Sequence, residues 1–142
     1  MTNQKYVLLI EDNKDDVTLT ELAFRKAQIT NRLDVAWDGV EAMEFLFGTG
    51  RYVGRDLSNK PAVILLDLKL PLVSGVQVLK AVRADTNYRD IPIVVLTSSM
   101  EASDQRACNH CGVTEYLQKP ESLSKFIEIV QNIVRGHPKP AR

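Results

Sequence analysis

The chain has 142 residues, and its 18 Lys and Arg balance 18 Asp and Glu, so it carries no broad positive field to draw it to nucleic acid or anionic lipid. No apolar run approaches the roughly 18 residues that span a bilayer, and the first six residues lack the charged, apolar and small-residue zones of a signal peptide. The expectation is a cytoplasmic protein with one compact domain over residues 1–135, a short tail at 136–142 and no output domain.

The first apolar run, residues 6–10, predicts a strand that ends in Glu11 and Asp12. Residues 15–27 carry apolar side chains at three- and four-residue spacing and predict a helix, with Asp15 and Asp16 as its starters. A strand over 33–36 and a helix over 39–47 follow. Residues 48–60 exceed what a minimal strand-helix unit needs; with Gly48, Gly50 and Gly54 among Arg51, Tyr52, Arg55 and Asp56 they read as an extended loop. The next strand, 62–66, ends in Asp67 and leads to a helix over 75–83. The strand over 93–96 ends in Thr97-Ser98-Ser99 and precedes a helix over 101–111. The last strand, 115–117, ends in Gln118-Lys119-Pro120, and a helix over 122–134 is stopped by Gly136 and Pro138.

The strands are too uniformly apolar for a sheet with a wet face, so the pattern predicts a parallel sheet covered on both sides. The fold class is α/β, a (βα)₅ doubly wound flavodoxin-like sheet in the order 2-1-3-4-5. In such sheets the working crevice lies beyond the carboxyl ends of the strands. Cys108 and Cys111 stand three apart, but a zinc site needs two further ligands and only His110 and His137 exist, so the thiols are read as packing residues.

Four strand ends place complementary groups on one edge. Glu11, Asp12 and Asp67 would repel one another without a cation between them, and oxygen ligands without His or Cys favour Mg²⁺. Asp67 can then act as a nucleophile toward a phosphoryl group, with Lys119 as the pairing cation and Thr97 as a hydroxyl donor. Singly, each would pass for something plainer: an Asp at a strand end is usually a helix cap.

The runs Leu9-Ile10-Glu11-Asp12-Asn13, Leu65-Leu66-Asp67-Leu68-Lys69-Leu70-Pro71, Val95-Leu96-Thr97-Ser98 and Lys119-Pro120, with Gly75, resemble response-regulator receiver domains of two-component systems over essentially the whole chain. The resemblance implies that Asp67 is phosphorylated by a histidine kinase. It implies that Asp12, Asp67 and the main-chain carbonyl of Lys69 ligate Mg²⁺, which Mn²⁺ could replace, with Glu11 acting through water. Thr97 and Tyr116 fall where the family keeps its switch residues. More narrowly, the 48–60 loop, with Phe45-Leu46-Phe47 before it, looks like the cyanobacterial phytochrome response regulators of the Rcp type. That implies a phytochrome-class kinase as donor and homodimers through the face of the fourth helix, fifth strand and fifth helix. Lys69 and Ser99 stand where the resemblance puts side chains that tune phosphoryl lifetime. A phosphatase of similar fold would want a second carboxylate two residues after Asp67, where Lys69 stands, so an enzyme acting on external substrates is disfavoured.

Overall fold

A computed structural model describes residues 5–134. Its elements are β1 (Val7–Ile10), α1 (Lys14–Lys26), β2 (Leu33–Ala36), α2 (Gly39–Phe47), a 3₁₀ turn (Gly50–Tyr52), β3 (Val63–Leu66), α3 (Gly75–Ala84), β4 (Ile93–Thr97), α4 (Ala102–His110), β5 (Glu115–Gln118) and α5 (Leu123–Val134). All strands are parallel, in the order β2-β1-β3-β4-β5, as expected. The tail at 136–142, with Gly136, His137 and Pro138, lies outside the described residues. Among those described, no helix is long and apolar enough to cross a membrane.

The alternation of side chains along each strand explains why the runs are apolar throughout. Leu8, Ile10, Ile64, Leu66, Ile93 and Val95 face one layer, where Leu46 of α2, Val78 and Leu79 of α3 and Cys108 of α4 cover them. Val7, Leu9, Val63, Leu65, Val94 and Leu96 face the other, against Val17 and Phe24 of α1 and Phe126, Val130 and Ile133 of α5. Each such side chain contributes about 1.5–3 kcal/mol by leaving water. Cys108 is fully buried and Cys111 packs against the same layer; both are free. Burial, with Asp104 and Cys111 nearby, pushes the Cys108 thiol up to about 11, the reverse of what a reactive cysteine needs.

Three boundaries differ instructively from expectation. Helix α1 begins at Lys14, and its cap is Asn13, whose Oδ1 accepts the Asp16 N–H at 3.0 Å. Asp15 and Asp16 therefore sit in the first turn, where the helix dipole favours them, and do not start it. Strands β4 and β5 each run one residue further because Thr97 still pairs with Gln118.

The 48–60 loop is anchored at the N-terminal edge of the sheet. Gly48, at φ 69°, caps α2 in the left-handed region. The Arg55 guanidinium then donates from Nε to the Phe45 carbonyl at 2.6 Å, to the Tyr88 hydroxyl at 2.9 Å and to the Asn59 carbonyl at 3.2 Å, with its carbon 4.0 Å from the Phe45 ring centroid. Tyr88 passes the chain on to the Leu46 carbonyl, and Tyr6 donates to the Asn59 carbonyl at 2.8 Å. Earlier in the loop, Arg51 pairs with Glu44 at 2.7 Å and Tyr52 donates to Glu41 at 2.7 Å.

Candidate functional site

Strand register brings the predicted groups together. Ile10 lies opposite both Ala36 and Leu66, and the ladder continues one step past the strands: the Asp67 N–H donates to the Ile10 carbonyl at 3.1 Å and the Lys119 N–H to the Thr97 carbonyl at 3.0 Å. Side chains at 11, 67, 97 and 119 are thereby held by the sheet itself.

Beyond Asp67 the backbone turns sharply into α3. The Gly75 N–H donates to the Leu68 carbonyl at 3.0 Å, and a Cβ at Gly75 would lie 2.4 Å from the Asp67 carbonyl oxygen. The Lys69 N–H donates to Asp67 Oδ1 at 3.2 Å, while its side chain reaches outward to Glu101 at 3.7 Å.

Glu11 and Asp67 are 4% and 5% exposed, and Asp12 stands at the solvent rim. One oxygen from each of the three lies within 4.8 Å of the others. Burial first, then the Asp67 charge, raises the Glu11 carboxyl to about 7. The donor set is oxygen alone and carries excess negative charge in a half-dry site, which fits a hard divalent cation and not zinc.

Lys119 supplies the opposing charge. Its Nζ lies 2.7 Å from Asp16 Oδ2, 3.0 Å from Glu11 Oε1 and 3.2 Å from Asp67 Oδ2. Burial alone would lower this amine, but hydrogen bonds to Asp16 and Glu11 and the charges of Asp67 and Glu11 outweigh it, and the amine stays firmly protonated. Lys119 lines a small recess together with Leu19, Leu66, Leu96 and Phe126. Asp16 is the site residue that the sequence reading assigned to helix capping. No local sequence signal marked it, because its partner Lys119 lies 103 residues away.

Thr97 is fully buried, and its hydroxyl accepts the Ser99 N–H at 3.1 Å. Ser99 in turn donates from Oγ to Asp104 of α4 at 2.8 Å and accepts the Tyr116 hydroxyl on its carbonyl at 3.0 Å. Thr97 and Tyr116 are thus joined through Ser99, not directly.

The arrangement is one acidic pocket lined by Glu11, Asp12, Asp67, Ser98 and the Lys119 ammonium, with the Thr97 hydroxyl buried behind it and bonded to the Ser99 N–H. Residues 7–131 match the family model of the response regulator receiver domain. The chain belongs to that family. It is 36% identical to the response regulator Rcp1 of Synechocystis sp. over 129 residues, 91% of this chain and 86% of Rcp1. Among solved structures it resembles the Mn²⁺-bound form of Rcp1, with a TM-score of 0.83, 34% identity and coverage of 96% of this chain and 99% of that one. It also resembles the phosphorylated cyanobacterial phytochrome response regulator RcpA (TM-score 0.84, 31% identity, 97% and 99% coverage). The bacteriophytochrome response regulator AtBRR is similar as well (TM-score 0.76, 42% identity, 91% of each chain). The receiver family and the likeness to phytochrome-associated regulators agree with the sequence reading.

Proposed function

We infer that this receiver accepts a phosphoryl group on Asp67 from a histidine kinase and uses it as a reversible signal. The observation that carries the reading is the environment of the Asp67 carboxylate: nearly buried, 3.2 Å from Lys119 Nζ and within a three-carboxylate group fit for a divalent ion. An Asp67 oxygen attacks the phosphorus of a phosphohistidine, the P–N bond breaks, and its electron pair stays with the imidazole. Lys119 neutralises charge on the transferring group, and Thr97 can turn its hydroxyl to a phosphoryl oxygen.

Glu11, Asp12, Asp67 and the Lys69 carbonyl would hold Mg²⁺, or Mn²⁺ in its place, as the Mn²⁺-bound form of Rcp1 supports. Held there, such an ion would supply charge neutralisation for phosphoryl transfer. When Thr97 moves, the Ser99 N–H that it accepts loses its partner, and the loop that also carries the Tyr116 hydroxyl bond must rearrange. Tyr116 then repacks and alters the face of α4, β5 and α5, which we read as the homodimer and signalling surface. Likeness to RcpA and AtBRR supports a phytochrome-class kinase as the donor. The protein works in the cytoplasm, without turnover on external substrates.

Incubation with acetyl phosphate and Mg²⁺ tests the reading by intact mass. One added phosphoryl group, absent in Asp67→Asn, is the expected result; an unchanged mass in the wild type refutes it. Profiling kinases for speed of transfer tests the donor, and sedimentation with and without phosphorylation tests the dimer.

A further inference from the structure

Lys119 has three ammonium donors, and three carboxylates surround it: Asp16, Glu11 and Asp67. Two of these belong to the group able to gather a cation; Asp16 does not. Yet Asp16 makes the shortest of the three contacts, 2.7 Å against 3.0 and 3.2 Å.

Its position is fixed by α1. The Asp16 N–H is taken by the Asn13 cap, and the Asp16 carbonyl accepts the Thr20 hydroxyl at 2.8 Å. Val17 and Thr20, on the same turn, are each 3% exposed, so the backbone that carries the carboxylate is packed against the core. Lys119 is fixed from the other side by β5 and its bond to the Thr97 carbonyl. The pair joins residues 103 apart in sequence.

A phosphoryl group on Asp67 adds up to about two negative charges where the free carboxylate had one. Lys119 must then face it. Asp16 opposes that in two ways: it occupies one donor at the shortest distance, and it adds a like charge close by. We propose that Asp16 is a positioning residue that holds Lys119 in competition with the phosphoryl group, so that its carboxylate limits how tightly the site retains that group. The inference rests on the phosphoacceptor reading above.

The test is calorimetric titration of the intact chain with beryllofluoride, a phosphoryl mimic, in excess Mg²⁺. Asp16→Asn keeps the shape and removes the charge, and it is expected to tighten binding about three- to tenfold. Asp16→Glu should return the affinity toward wild type. Asp15→Asn, an equal charge change at an exposed neighbour, should leave it within about twofold, as screening of exposed charges predicts. A second readout concerns Lys119 alone: with Asp16→Asn, an acylating reagent should modify Lys119 faster, by peptide mass mapping. Unchanged or weaker beryllofluoride binding by Asp16→Asn overturns the proposal, as does an equal gain from Asp15→Asn or an unaltered rate of Lys119 acylation. A wild-type chain that binds no beryllofluoride refutes the phosphoacceptor reading itself, and this one falls with it.

Discussion

At the N-terminal edge of the sheet Arg55 lies among neutral oxygens and an aromatic face: the Phe45 and Asn59 carbonyls, the Tyr88 hydroxyl and the Phe45 ring. At the C-terminal edge Lys119 lies among the carboxylates of Asp16, Glu11 and Asp67. These partners carry no charge near neutral pH, where burial raises the Tyr88 hydroxyl further out of range, so the first arrangement has one stable state. Carboxylates can surrender their partner to a proton, a metal or a phosphoryl group, so the second can be rewritten. The same fold places a permanent anchor at one end and an exchangeable one at the other, and the planar guanidinium and point-like ammonium suit those tasks respectively.

Breaking the exchangeable end should have the largest effect. Lys119→Ala is expected to slow phosphoryl acceptance from acetyl phosphate on the order of a hundredfold, the scale of removing one preorganised charge donor, with a rate measured by intact mass. The permanent end should answer in stability instead. Arg55→Ala removes several hydrogen bonds and the contact with Phe45, and is expected to lower unfolding stability by about 2 kcal/mol in urea titrations while leaving phosphoryl acceptance unchanged.

A third expectation concerns pH. With metal chelated, Glu11 in the folded chain holds its proton up to about 7, whereas the unfolded carboxyl releases it near its ordinary value. The native state therefore binds more protons between the two, and stability falls as pH rises through that window. Glu11→Gln should flatten the decline in urea midpoints, and added Mg²⁺ should reduce it. The smallest effect belongs to the bridge between Lys69 and Glu101, whose side chains are both more than half exposed: Glu101→Ala should shift stability by less than about 0.5 kcal/mol. A larger loss there would mean that the exchangeable end extends further onto the surface than Lys119 and its carboxylates.

The sheet was legible because buried parallel strands need apolar residues on both faces, and the four strand ends followed from it. Asp16 was not, since an Asp in a first helical turn has a sufficient local explanation, and its partner at Lys119 lies across the fold. The anchoring of the 48–60 loop was hidden for the same reason: glycines mark a loop locally, whereas the Arg55 partners at Phe45 and Tyr88 declare themselves only once α2 and α3 end at the same edge. Cys108 and Cys111 show the converse, a suggestive spacing in which burial makes the Cys108 thiol inert.

Gly75 carries a separate consequence. Because a methyl group there would press on the carbonyl oxygen of Asp67, the placement of the acceptor depends on a missing side chain eight positions downstream. Gly75→Ala would displace the acceptor's main chain with every charge in the pocket retained, and so would separate what the site owes to its chemistry from what it owes to alignment.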